Sequence, residues 1–218
     1  MKRIALLLAL SLALCGLSVC KRNKDPFEGI PNPVATIELS NGSSMRFELF
    51  LPDAPNTVAN FVELANAGFY DGQRFFRIVP GVLVQAGDPK NNGTGHAEHA
   101  IQGEFAENGI ENSVSHTRGT ISMSRQSGYD TASSQFFIMQ GTYPEYNGQY
   151  AAFGRATDPD SLRVLDAIAS TSVDGNYVPV GAVPAITRIR VETYGYEYEA
   201  AKMDIPETTK KPASEEEK

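Results

Sequence analysis

The chain has no tryptophan, only three histidines and only two cysteines in 218 residues. Both cysteines, Cys15 and Cys20, lie in the first twenty positions. The body therefore carries no thiol, which excludes a disulfide framework, a cysteine zinc site and a cysteine nucleophile there. Positive charge is also scarce: 19 Lys and Arg against 26 Asp and Glu give a formal net charge of −7. That sign argues against a nucleic-acid partner, which normally meets a basic face. What is present is 41% hydrophobic and 9% aromatic sequence, enough to build one domain with a sizeable core and too much for wholesale disorder.

The first segment reads as an export signal. Lys2 and Arg3 precede an apolar run over residues 4–19, a positive n-region and an h-region slightly short of a stable membrane span. The run ends Leu17-Ser18-Val19-Cys20, which resembles the lipobox of bacterial lipoproteins. In that family Cys20 would receive the lipid and become the mature N-terminus. Val19 departs from the pattern, where a small residue is usual. An uncleaved signal anchor is the other reading, supported by Lys21, Arg22 and Lys24. Either one places the body outside the cytoplasm, held to a bacterial membrane. Residues 20–33, charged and bearing Pro26, Pro31 and Pro33, read as a tether. Residues 193–218 read as a charged, disordered tail, which leaves a folded domain over 34–192.

Within that domain Ile37 and Leu39, then Met45, Phe47 and Leu49, alternate with polar residues on either side of Asn41-Gly42. This is a strong hairpin signal. A helix is expected over 55–67, with Pro55 in its first turn, Gly68 at its end and a stripe of Val58, Phe61, Val62 and Ala65. A second helix is expected near 160–169. Six further short β runs complete the pattern. Eight short strands and two helices predict a mainly β fold, a closed eight-stranded antiparallel barrel capped by two α-helices.

Familiar catalytic patterns are missing. There is no Gly-x-Ser-x-Gly elbow, and the glycines of 87–95 lack the Lys-Ser/Thr of a phosphate loop. His96 and His99 read as a solvated loop pair, with no cysteine to complete a metal set, and Asp88 and Glu104 read as exposed loop acids. No metal and no cofactor is expected. One segment is odd: Arg77 and Gln85 stand inside two apolar β runs, with Phe75, Arg77 and Val79 on one strand face.

Three ordered blocks give that oddity a context. They are residues 74–88 (Arg-Phe-Phe-Arg-Ile-Val-Pro-Gly-Val-Leu-Val-Gln-Ala-Gly-Asp), 133–138 (Ser-Ser-Gln-Phe-Phe-Ile), which follow Gly119-Thr-Ile-Ser-Met-Ser-Arg125, and 146–154 (Tyr-Asn-Gly-Gln-Tyr-Ala-Ala-Phe-Gly). Together they closely resemble the signature blocks of the cyclophilin-type peptidyl-prolyl cis–trans isomerases, in the family's order, over roughly residues 34–191. The resemblance implies Arg77 as the catalytic arginine and Gln85 as the glutamine that holds the substrate backbone. It implies Phe137 as the floor of a proline pocket, with Val82, Leu83, Tyr146 and Tyr150 around it. Ser124, Arg125 and Gln135 fall where the family lines the groove for residues before the proline. Phe76 replaces the usual His before the arginine, and Val82 replaces a common Phe. Glu145 stands where cyclosporin-sensitive members carry Trp, so weak cyclosporin binding is expected. The implied partners are proline-containing polypeptides, and the implied state is a monomer assisting the folding of exported proteins. A proline-peptide-binding chaperone module with weak or lost catalysis is the competing reading, motivated by Val82 and Phe76. A β-barrel carrier of a small apolar ligand is a third, which the three ordered blocks disfavour.

Overall fold

A computed structural model describes residues 27–206; the leader, Cys20 and the last twelve residues lie outside the described residues. The chain opens with the hairpin β1 (Val34–Leu39) and β2 (Ser44–Leu49). Gly42 sits at φ +84°, and Asn41 Oδ1 accepts from the Ser43 N–H at 3.1 Å, so the turn is closed by the residues that signal it. Ala35, Ile37, Leu39, Met45, Phe47 and Leu49 all point inward and are buried.

α1 (Pro55–Asn66) follows, then β3 (Arg77–Val79), β4 (Leu83–Ala86), β5 (Thr120–Met123), β6 (Phe136–Met139), β7 (Ala152–Ala156), α2 (Pro159–Ala169) and β8 (Ile186–Glu192). Phe61 of α1 packs its ring 5.2–5.4 Å from those of Tyr70, Phe136 and Phe153 at the centre of the core. α2 begins in a regular way, with Asp158 accepting from the Ser161 N–H at 2.7 Å. α1 does not, because Ala54 offers no cap. The Glu104 carboxylate instead accepts from the N–H groups of Asn56 and Thr57, at 3.0 and 2.7 Å, satisfying donors that the helix itself leaves open.

The eight strands form one sheet in the order β3-β4-β6-β5-β7-β2-β1-β8, with every pair antiparallel. Its two ends, β3 and β8, form no ladder with each other. The expected closed barrel is thus an open half-barrel. The reason is local: β3 has only three residues, and its Ile78 N–H is taken by the Tyr177 carbonyl of the loop before β8, at 2.9 Å. Across the seam Gly72 and Gln73 reach Ile186 through two backbone bonds of 2.8 Å, and Arg190 pairs with Asp71.

Two other expectations change. Residues 27–33 do not behave as a tether, since Phe27 and Ile30 pack against the main core. Residues 193–206 form a strap rather than a frayed tail. Ala200 is buried and its N–H donates to Glu63, Ala201 exchanges two bonds with the Asn56 side chain, and Met203 pairs with Ala100 through two backbone bonds of 2.9 Å.

The sheet buries both of its faces at its centre. Ile78, Val84, Ala86, Ile121, Met123, Phe136 and Ile138 join the main core under the helices. Leu83, Phe137 and Met139 point the other way into a smaller cluster, covered by Val79, Val82, Tyr143, Tyr146 and Tyr150. Arg77 and Gln85 stand on this second face as well.

Candidate active site

Strand register builds the site. Arg77 pairs with Gln85 across β3 and β4, Gln85 with Phe137 across β4 and β6, and Phe137 with Ser122 across β6 and β5. Partners directly opposite in a ladder share a face, so a guanidinium, an amide and a phenyl ring stand in one row. Leu83 and Met139 occupy the next row beside them.

Polar bonds fix the orientation of the row. Arg77 Nη1 donates to Gln85 Oε1 at 3.2 Å. Gln85 Nε2 donates to Gln135 Oε1 at 3.0 Å and to Ser124 Oγ at 3.2 Å. Gln135 Nε2 in turn donates to the carbonyls of Gly95 and Gly93, at 2.7 and 3.2 Å. Each amide has its oxygen toward Arg77 and its nitrogen toward the 88–95 loop, so the relay runs in one direction and leaves Gln85 no reason to flip. The loop is shaped by Asp88, whose carboxylate accepts from the N–H groups of Lys90, Asn92 and Gly93. Asp88 and Glu104 are therefore buried framework groups and not exposed loop acids. Beside Asp88, Gly87 sits at φ +88°, where a Cβ would lie 2.3 Å from the Ser134 carbonyl oxygen; the loop approaches β6 that closely only with glycine.

The apolar half of the site is a ring cluster. Phe137, 3% exposed, meets Tyr150 edge-on at 5.5 Å and Tyr146 at 5.8 Å, and those two tyrosines are 5.3 Å apart. Leu83 and Val82 pack in the same cluster. Arg125 lies over the ring of Tyr150 at 5.0 Å and over Phe105 and Tyr129 at 5.2 Å, with its Nε donating to the Gln149 carbonyl. A cavity of about 250 Å³ opens alongside, lined by Gln85, Ser124, Arg125, Gln135, His96 and Ile205 among others.

Of the residues singled out in the sequence, Arg77, Gln85, Val82, Leu83, Phe137, Tyr146 and Tyr150 come together on this face, and Ser124, Arg125 and Gln135 line the adjoining cavity. Phe76 does not join them; it is buried against Gly93 of the 88–95 loop. His96 is exposed, but His99 is half-buried and held 2.7 Å from Asn60 Oδ1, so the two are not a solvated pair.

His116, which carried no signal in the sequence, lies beneath the pocket with its ring 6.0 Å from that of Phe137. Asn147 Oδ1 already accepts from the His116 backbone N–H, so Nδ1 is the donor to that oxygen. Nε2 then accepts from Ser122 Oγ at 2.9 Å. Burial pushes this imidazole below its ordinary pKa, against the pull of Asn147. The neutral ring thus braces Phe137 from behind its stacked face.

Residues 34–191 match the family model described as cyclophilin type peptidyl-prolyl cis-trans isomerase/CLD. The chain belongs to the cyclophilin family. Its curated relatives include the peptidyl-prolyl cis-trans isomerase of Helicobacter pylori strain J99, 44% identical over 134 residues that cover 62% of this chain and 79% of the relative. Peptidyl-prolyl cis-trans isomerase B of Bacillus subtilis is 43% identical over 119 residues, covering 55% and 80%. Among solved structures, a Cryptosporidium parvum cyclophilin type isomerase crystallised in the presence of the dipeptide Ala-Pro aligns with a TM-score of 0.62 at 27% identity, over 73% of this chain and 98% of that one. The cyclophilin described here is a peptidyl-prolyl cis–trans isomerase. Its open half-barrel and two helices are those of the family's fold.

Proposed function

We propose that this cyclophilin turns X–Pro bonds in exported proteins from the outer side of a bacterial membrane, with Arg77 as the catalytic residue. The observation that carries the catalytic part is the row Arg77–Gln85–Phe137. It sets a cationic donor beside an apolar cluster whose rings and aliphatic side chains suit contact with a proline ring.

Rotation about an X–Pro bond breaks no covalent bond, so the site needs no nucleophile. The barrier, about 20 kcal/mol, comes from lost amide resonance. Halfway through the turn the proline nitrogen becomes pyramidal and regains its lone pair. A guanidinium placed beside it then gains a hydrogen bond that the planar ground state cannot offer, which is the differential binding that lowers a barrier. Gln85 is placed to hold the peptide backbone while Phe137, Leu83 and Val82 receive the ring. Phe137 and Leu83, both nearly inaccessible, also give the amide an apolar neighbour in place of water. That neighbour was crystallised in the presence of Ala-Pro, and this supports proline peptides as substrates.

The export part rests on sequence: Lys2-Arg3, the apolar run and Leu17-Ser18-Val19-Cys20. Among the described residues no helix is long and apolar enough to cross a membrane, so a tether would have to come from the leader. Mass spectrometry of the mature protein checks the anchor. The expected N-terminus is a lipid-modified Cys20; an unmodified Cys20 or a retained Met1 would refute the lipoprotein reading.

Weak cyclosporin binding belongs to the same reading. Glu145 is exposed next to Tyr146 at the rim of the ring cluster, where it offers a charge and no indole surface. Inhibition of the isomerase by cyclosporin is expected only well above nanomolar concentration, and inhibition at low nanomolar concentration would overturn the expectation of weak binding.

A further inference from the structure

Arg77 has a neighbour that the reaction described above leaves unused. Its guanidinium carbon lies 5.7 Å from the centroid of the Tyr177 ring, a residue of the loop joining α2 to β8. Tyr177 also gives its carbonyl to the Ile78 N–H at 2.9 Å, one residue along β3 from Arg77. The loop thus binds the free edge of β3 and lays an aromatic face against the catalytic side chain.

The loop holds Tyr177 in an unfavourable backbone shape to do this. Its φ is +64°, in the left-handed region that a bulky L-residue seldom adopts. Asp174 enforces the shape. Its carboxylate accepts from the N–H groups of Asn176 and Val178 at 2.8 and 2.9 Å, its carbonyl accepts from the Tyr177 N–H, and its own N–H donates to the Val178 carbonyl. Burial does not account for an aromatic residue here, since Tyr177 is 44% exposed and flanked by exposed Val178 and Val180. Glycine would fit the turn without strain. A strained aromatic that gains little from burial and touches a catalytic group points to a functional cause.

We infer that Tyr177 is a positioning residue for Arg77. Apart from the ring, among the described residues Arg77 is held by one 3.2 Å bond to Gln85, and a single bond leaves a planar fork room to swing. The ring narrows that motion and keeps the guanidinium over the pocket before substrate arrives, through a cation–π contact. This inference rests on the assignment of Arg77 as the catalytic residue.

The test compares Tyr177→Phe, Tyr177→Leu and Tyr177→Gly in the full folded protein, using a proline tetrapeptide. Phenylalanine should keep the wild-type kcat, because the ring and not the hydroxyl acts. Leucine and glycine should lower kcat about 2–5-fold, the scale of an exposed cation–π contact, with KM unchanged. The glycine variant should melt no lower than wild type, since it relieves the backbone. In an Arg77→Ala background Tyr177→Leu should cost nothing further. Wild-type kcat in the leucine and glycine variants would overturn the inference, as would a phenylalanine variant as slow as leucine, a loss residing in KM, or an undiminished leucine effect without Arg77. If Arg77→Ala alone left the rate unchanged, the assignment of Arg77 would fall and this inference with it.

Discussion

Replacing Arg77 with alanine is expected to lower kcat/KM toward a proline tetrapeptide by about 10²–10³-fold while the melting temperature stays within a few degrees of wild type. The size follows from the role. One donor aimed at charge or lone-pair density that exists only in the transition state is worth about that factor. The fold survives because Arg77 is only half-buried and belongs to neither hydrophobic cluster. Lysine should recover little, because a point charge cannot keep the Gln85 bond and also reach the imide nitrogen with fork geometry. Exchange NMR or a protease-coupled assay measures the rate, and thermal melting reports the fold. Equal rates for wild type and Arg77→Ala would remove the mechanism proposed above.

Replacing Asp88 with alanine should cost both stability and activity. The wild-type side chain is inaccessible to solvent and accepts three backbone N–H bonds of 2.6–2.9 Å. Removing it strands those donors, a loss of about 3 kcal/mol, or about 6–12 °C in melting temperature for a domain of this size. Activity should fall by about tenfold, because the loop carbonyls of Gly93 and Gly95 orient Gln135, which orients Gln85.

The same carboxyl gives a pH signature. Burial pushes its pKa up, but the backbone N–H groups of Asn92, Lys90 and Gly93 outweigh that and hold it below the usual carboxylate range. A folded-state pKa below the unfolded one means stability that is present above about pH 4 and lost as pH falls through the folded value. Melting curves from pH 7 downward should show this acid-side loss in wild type and a smaller one in Asp88→Asn. An equal loss in both would place the acid sensitivity elsewhere.

What the sequence disclosed was local. The β1–β2 turn needs only Asn41-Gly42, and α1 needs only Pro55, Gly68 and a helical stripe, so both stand where pattern and propensity place them. α1's cap was hidden because Glu104 reaches it from 47 residues away. The row from Arg77 to Ser122 depends on register between strands, including the Gln85–Phe137 pair 52 residues apart, which no periodicity encodes; the signature blocks named its members without their geometry. Strand length decided the closure of the sheet. A run starting at Phe75 reads as five β residues, yet only three pair, because a loop takes the outer edge. The strap at 193–206 looked featureless since its partners, Glu63, Asn56 and Ala100, lie on other elements. Tyr177 was silent for a similar reason: its meaning comes from a positive φ and a distant arginine.

The central strands carry the folding core on one side and the smaller cluster of Leu83, Phe137 and Met139 on the other. Such a back-to-back layout separates two kinds of selection. Residues of the smaller cluster can be exchanged while the layer that keeps the chain folded is left alone. Taste for different clients can then drift in one layer at little risk to the other, which leaves this scaffold free to diversify.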